Sequence, residues 1–288
     1  MKLIKILLHF KIFAETIKIE HTIFALPFAI LTCFITVNGI PNIFDFLLII
    51  LCMISMRTVA MLANRIIDRD VDRLNPRTKN RTLVTGKFSE TSGIIYIIVF
   101  VILYFLCVFQ LHKSSWILSP IPLVVTVFYS YLKRFTWLCH FGIGLVYLIV
   151  PPAVQIALVG KFDTWAVIIG FAGALWVSGF DILYGIFDIE SDRHIGIKSI
   201  PARFGINVSL ILTKSVHALS LIFLFLAGYF FEAGLIYYLG VIISGILLSY
   251  ENYIVRADDT SRLNTAFFNM NGLIAINFLI FSVGDILI

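Results

Sequence analysis

Long apolar runs, broken by short clusters of charge, recur along the whole chain. Nine runs stand out, at about 22–38, 43–64, 92–111, 115–132, 138–159, 164–187, 208–230, 234–250 and 268–287. Most are long enough to cross a hydrocarbon layer of ~30 Å as helices rising 1.5 Å per residue. None has the period-two alternation over ten-residue stretches that a transmembrane barrel needs. The pattern predicts an all-α, polytopic membrane bundle of nine transmembrane helices, a single domain over 1–288. Pro151-Pro152 should interrupt the fifth run, since each proline removes a helical hydrogen bond.

Composition excludes a soluble protein. The 288 residues are 60% hydrophobic and 14% charged, with a mean hydropathy of +0.98, more apolar surface than a soluble domain of this length can bury. Placing the N-terminus in the cytoplasm puts 18 of the 22 Lys and Arg residues on the cytoplasmic side and 2 on the other, with Arg57 and Lys214 inside runs. That bias fits an odd number of spans and cytoplasmic loops around both acidic clusters described below. The net charge of +5 suits anionic lipid headgroups or an anionic substrate, and no nucleic-acid partner is implied. A removed signal peptide is not expected, because charges from Glu15 to Glu20 follow the first apolar residues. Cys33, Cys52, Cys107 and Cys139 lie in or beside runs without metal-ligand spacing and read as buried thiols.

The candidate chemistry lies in two acidic clusters where a run meets a loop. The first holds Asn64, Asp68 and Asp72; the second holds Asp181, Tyr184, Asp188 and Asp192. Steps of four advance by about 40° on a 3.6-residue helix, so each set should share a helix face. Carboxylates are costly in so apolar a chain and call for a strongly positive partner. Magnesium bridging to a phosphate-bearing substrate is the natural candidate, with Asn64, Asp68, Asp72, Asp188 and Asp192 as oxygen ligands. A plain solvated helix end is the competing explanation, with Asp68, Asp70 and Asp72 paired to Arg65, Arg69 and Arg73; two clusters in the same register weigh against it. Arg57, seven residues before Asn64 and about 10 Å deeper, should face the interior and meet a phosphate or an aspartate. Lys133, Arg134 and Lys198 are candidates to neutralise a departing diphosphate, and Tyr147 and Tyr184 could face a carbocation through their rings. The six histidines show neither zinc spacing nor a Ser-His-Asp arrangement.

These residues resemble the UbiA superfamily of intramembrane prenyltransferases. The likeness rests on Asn64-x3-Asp68-x3-Asp72, on Asp188-x3-Asp192 preceded by Asp181 and Tyr184, and on Arg57 seven residues before Asn64. Asn80-Arg81, Tyr131-x-Lys133-Arg134 and Gly196-Ile197-Lys198-Ser199 with Arg203-Phe204-Gly205 add to it. The resemblance implies nine helices around a central cavity open to lipid, with Mg2+ at both motifs holding the diphosphate of a polyprenyl donor. Asn75-Pro76-Arg77-Thr78 and Phe180 to Tyr184 look like bacterial 4-hydroxybenzoate polyprenyltransferases. Lys18-Ile19-Glu20-His21-Thr22 and Leu26-Pro27-Phe28 depart from that branch and are similar to a sister branch that prenylates a futalosine-derived menaquinone precursor. The implied protein sits in a bacterial inner membrane and prenylates an aromatic acceptor, 4-hydroxybenzoate first, for ubiquinone or menaquinone biosynthesis. Asp68, Asp72, Asp188, Asp192 and Arg57 would be catalytic, and Asn64, Arg57, Lys133, Arg134, Asp181, Tyr184 and Lys198 would bind substrate. A cation transporter built on the same carboxylates is the non-enzyme alternative, though both clusters then lie at one membrane face with no relay across.

Overall fold

The computed structural model describes residues 2–18 and 26–288, with side chains from residue 9 onward. Every regular element among them is helical, as expected where only a helix can pair all of a segment's own backbone groups in lipid. Eight helices are long and apolar enough to cross a membrane, and the chain is a multi-pass integral membrane protein. Helix α1 (Lys2–Ile17) leads to the short α2 (Leu26–Val37), the long α3 (Ile43–Ile67) and the small α4 (Arg69–Leu74). Then follow α5 (Glu90–Val108), α6 (Lys113–Leu118), α7 (Pro120–Phe135), α8 (Cys139–Val159) and α9 (Thr164–Gly185). After α10 (Ile189–Ile195) come α11 (Ile200–Phe230), α12 (Leu235–Ile254) and α13 (Asn271–Leu287).

The structure departs from the expected spans in three places. The run at 22–38 forms a helix of only 12 residues, about 18 Å long, and residues 19–25 lie outside the described residues. Among the described residues eight helices, not the expected nine, are long and apolar enough to span, and this shorter one falls below that length. The run at 115–132 is divided at Ser119, because Pro120 has no N–H to continue α6 and instead opens α7. Pro151-Pro152, by contrast, does not interrupt α8. Proline φ is helical, and the cost is the donors lost to the carbonyls four residues back, Tyr147 and Leu148. The α9 backbone covers one of these: a Cβ on Gly170 would stand 2.4 Å from the Leu148 carbonyl oxygen. Gly144 allows a second close approach, with the Ala174 carbonyl oxygen 2.8 Å from a Cβ built there. Small residues thus let α8 and α9 pack backbone to backbone, the usual way membrane helices associate.

Helix α9 is the buried centre, packed between α8 and α11, with Trp165, Ile169, Trp176 and Phe180 in the main apolar core. Helix α5 shows the opposite pattern, leaving Ile94, Ile98, Ile102 and Leu106 exposed, the surface a lipid-facing helix presents. Helix α11 begins with a short turn and changes direction at Gly205, whose φ of +79° suits glycine. The small helices α4 and α10, which follow α3 and α9, touch each other. Both acidic segments therefore lie at one end of the bundle.

Candidate active site

The first motif straddles a bend. Helix α3 stops at Ile67, and Asp68 has φ −93° and ψ 2° before α4 begins. The four-residue register survives, because the Asp68 N–H bonds to the Asn64 carbonyl at 2.9 Å and the Asp72 N–H to the Asp68 carbonyl at 2.8 Å. The three side chains thus remain a ladder, though not on one continuous helix as the spacing predicts. Asp68 and Asp72 are buried, at 1% and 4% exposure. The local pairing with Arg65, Arg69 and Arg73 does not form; Asp68 is met from α7 and Asp72 from the loop that follows α4. Lys133 Nζ donates to Asp68 Oδ2 at 2.6 Å and Asn64 Nδ2 donates to the same oxygen at 2.8 Å. Arg81 Nη1 donates to both Asp72 oxygens, at 2.7 and 2.6 Å, while Arg69 pairs with Glu90 at 3.0 Å. Burial pushes the Asp68 carboxyl above its ordinary range, even against the opposing pull of Lys133.

The second motif is also broken. Helix α9 ends at Gly185, a 3-10 turn covers Ile186–Asp188, and α10 carries Asp192. The tighter turn takes Asp181, Asp188 and Asp192 off a single helical face, and each finds a different partner. Asp181 Oδ2 meets His140 Nδ1 at 2.7 Å. Asp192 Oδ2 accepts from Ser199 Oγ at 2.9 Å. Asp188 joins the two motifs: its Oδ1 accepts from Asn75 Nδ2 at 2.8 Å and from Arg77 Nε at 2.9 Å, and its Oδ2 from Arg77 Nη2. Arg77 Nη1 also donates to the Tyr184 hydroxyl at 2.7 Å, and the guanidinium lies 4.6 Å from that ring's centre. Burial acts to lower the Arg77 pKa, but the bonds to Asp188 outweigh it and raise the pKa above its ordinary value.

A polar chamber of about 600 Å3 opens beside these groups. Its walls carry Arg57, Asn64, Arg77, Arg81, Lys133, Asp181 and Tyr184. The cations bound to Asp68, Asp72 and Asp188 face the space, rather than those carboxylates themselves. Arg134 and Lys198, expected on a substrate, do not line it. Arg134 donates to the Ile67 carbonyl at the end of α3. Lys198 is exposed and donates to the Phe135 carbonyl at 3.2 Å, tying the loop before α11 to the end of α7. A second, apolar cavity of about 430 Å3 runs between α3, α7 and α8, lined among others by Met53, Ala60, Pro122 and Ala153. The two spaces share Arg57, Tyr129, Ile143 and Tyr147. A charged compartment and a greasy one therefore meet at one arginine and two tyrosines.

The donor set fits a hard divalent cation: Asn64, Asp68, Asp72, Asp188 and Asp192 all offer oxygen. Asp68 Oδ1 is buried with no hydrogen-bond partner, with Arg134 Nη2 3.9 Å away. Among the described residues no three acidic, histidine or cysteine side chains converge closely enough to hold an ion. Lys133, Arg81 and Arg77 instead hold Asp68, Asp72 and Asp188. Sequence spacing missed His140, 41 residues from Asp181, and carried no local signal for it. It also missed Phe267 and Phe268, which a π-helical turn over Thr265–Met270 brings to the chamber.

Comparison with known proteins agrees with this architecture. The model of the UbiA prenyltransferase family matches residues 25–273. A 4-hydroxybenzoate octaprenyltransferase of Pseudomonas aeruginosa is 31% identical over 233 residues, 81% of this chain and 78% of that protein. One from Vibrio atlanticus is 29% identical over 238 residues, 82% of this chain and 83% of that protein. Among solved structures, the apo UbiA homolog from Aeropyrum pernix K1 superposes with a TM-score of 0.84 at 28% identity, covering 93% of this chain and 98% of that one. A UbiA homolog from Archaeoglobus fulgidus bound to GPP and Mg2+ shares the fold, with a TM-score of 0.68 at 18% identity, covering 96% of this chain and 99% of that one. With the matched family covering most of its length and its two motifs at one end of the bundle, this chain belongs to the UbiA prenyltransferase family.

Proposed function

We propose that this protein transfers a polyprenyl group from a polyprenyl diphosphate to an aromatic acceptor, 4-hydroxybenzoate first, in quinone biosynthesis, and that the transfer depends on Mg2+. The observation that carries the reading is the junction of the two cavities at Arg57, Tyr129 and Tyr147. A prenyl diphosphate has the same two halves, a multiply charged head and a hydrocarbon tail. The curated relatives named above are 4-hydroxybenzoate octaprenyltransferases, and a homolog with this fold holds GPP and Mg2+. The Lys and Arg bias supports a cytoplasmic position for the acidic end, and the bacterial relatives support an inner membrane.

The chain's own groups divide the work. Asn64, Asp68, Asp72, Asp188 and Asp192 would hold the metal, which supplies positive charge to the diphosphate as its carbon–oxygen bond weakens. Arg57 Nε is buried without a hydrogen-bond partner, a donor free to meet a phosphate oxygen. Lys133, Arg81 and Arg77 line the chamber and would stabilise the charge on the diphosphate as it leaves. The rings of Tyr129 and Tyr147 stand at the junction where the allylic carbon gains positive charge. Asp181, open to the chamber, serves the acceptor, whose ring carbon bonds to the allylic carbon as the carbon–oxygen bond to the diphosphate breaks and then gives its proton to the departing diphosphate. Apolar walls keep water from the cation.

The test uses membranes containing the protein, a polyprenyl diphosphate and 4-hydroxybenzoate, with products identified by mass. Prenylated 4-hydroxybenzoate formed with Mg2+ and lost on chelation supports the reading. Its absence, with prenylation of a futalosine-type acceptor instead, moves the protein to the sister branch.

A further inference from the structure

A buried ring holds the carboxylate that faces the chamber. His140 Nδ1 lies 2.7 Å from Asp181 Oδ2; the imidazole is 5% exposed and the Asp181 side chain 33%. One end of the pair is therefore sealed and the other open. Three elements build the ring's seat. Next to it in the chain, Cys139 Sγ bonds to the Lys198 carbonyl at 3.3 Å and fixes the start of α8. Gly185, one turn beyond Asp181, leaves room for the ring: a Cβ there would stand 3.1 Å from His140 Cε1 and 3.2 Å from Pro201 Cγ of α11. His140 Nε2 is buried with no hydrogen-bond partner. A polar ring left half satisfied is costly in such surroundings. An apolar side chain would join α8 to α9 without that cost, so the bond to Asp181 is what the histidine specifically provides.

We infer that His140 is a positioning residue that fixes Asp181 so that its carboxylate accepts a hydrogen bond from the acceptor's ring hydroxyl, an inference that rests on the aromatic acceptor proposed above. The chamber's charges separate the two substrates. Arg57, Arg81 and Lys133 attract the diphosphate, whereas Asp181 repels it and welcomes a hydroxyl donor. Anchoring Asp181 Oδ2 on His140 leaves the rest of the carboxylate for that hydroxyl.

The experiment compares wild type, His140→Leu, His140→Asn and Asp181→Ala in detergent, with polyprenyl diphosphate and 4-hydroxybenzoate. Asn places Nδ2 near the position of His Nδ1, so it keeps the donor that Leu removes. His140→Leu should raise the acceptor KM about ten- to hundredfold and leave the donor KM unchanged, and His140→Asn should recover most of the loss. As a competitive inhibitor, 4-methoxybenzoate lacks the donated proton. Wild type should bind it about tenfold more weakly than 4-hydroxybenzoate, and His140→Leu and Asp181→Ala, which removes the accepting oxygens, should lose that discrimination. An unshifted acceptor KM in His140→Leu, equal rises in both KM values, or discrimination retained by Asp181→Ala would overturn the inference. If His140→Leu does not accumulate in membranes, the discrimination kept by His140→Asn and lost by Asp181→Ala decides in its favour, and the reverse decides against it. Wild type that prenylates no phenol overturns the proposed function along with this inference; transfer by wild type with an unshifted His140→Leu overturns the inference alone.

Discussion

Each buried acid of the first motif depends on a cation outside the motif, Lys133 of α7 for Asp68 and Arg81 of the following loop for Asp72. Asp72 is nearly sealed, and Arg81 holds both of its oxygens at 2.7 and 2.6 Å. Arg81→Ala should therefore destabilise the protein by about 1–3 kcal/mol, because it leaves a buried charge without its partner. Thermal unfolding in detergent should show a Tm lowered by a few degrees, and adding Asp72→Asn should restore part of it. Equal Tm values for wild type and Arg81→Ala would mean that the pair carries no stability. Arg57→Leu should cut transfer at least tenfold while leaving the fold intact, read as donor turnover beside an unchanged Tm. At this scale the sequence made the acids legible and hid their partners. Four-residue spacing marks Asn64, Asp68 and Asp72 whatever the fold does. Nothing local couples Asp68 to Lys133, Asp188 to Arg77 or Asp181 to His140, since those pairs exist only once helices far apart in the chain pack together. Arg134 and Lys198 looked equally suited to a phosphate, yet they tie helix ends, because a basic residue beside a membrane face has the same local signature in either role.

Helix packing turns on the contact of α8 with α9. Gly170 meets the Leu148 carbonyl so closely that a Cβ would stand at 2.4 Å. Gly170→Ala should force the two backbones apart and cost about 1–3 kcal/mol, measured by unfolding in detergent. An unchanged midpoint would show that the interface yields freely. Hydrophobic runs located most of these helices to within a few residues, because an apolar stretch in lipid has no alternative to a helix. They failed where one run holds two local preferences. Pro120 divided a run that reads as continuous, whereas Pro151-Pro152 left α8 whole, since proline φ is helical and the α9 backbone covers the Leu148 carbonyl. The bends at Asp68 and at Ile186–Asp188 also lie beyond a periodicity argument, which assumes one straight helix. These bends are what separate the carboxylates of each motif onto different partners.

At the scale of the whole molecule, the two cavities set what the protein can accept. Ala153 lines the apolar cavity, and Ala153→Trp should reduce kcat/KM for a long prenyl donor at least tenfold while sparing a short one, measured with donors of two chain lengths. Equal losses for both lengths would mean that the tail lies elsewhere. The sequence foresaw a charged end and a greasy interior, but their junction at Arg57, Tyr129 and Tyr147 required α3, α7 and α8 to be placed side by side. The proposed function depends most on both acidic motifs acting together at one end of the bundle. The most direct measurement is Mg2+-dependent prenyl transfer in membranes by Asp68→Ala and by Asp188→Ala, with each variant's insertion checked by its abundance in the membrane fraction. Loss of transfer in both, with normal insertion, is the expected result; wild-type turnover by either variant would contradict it.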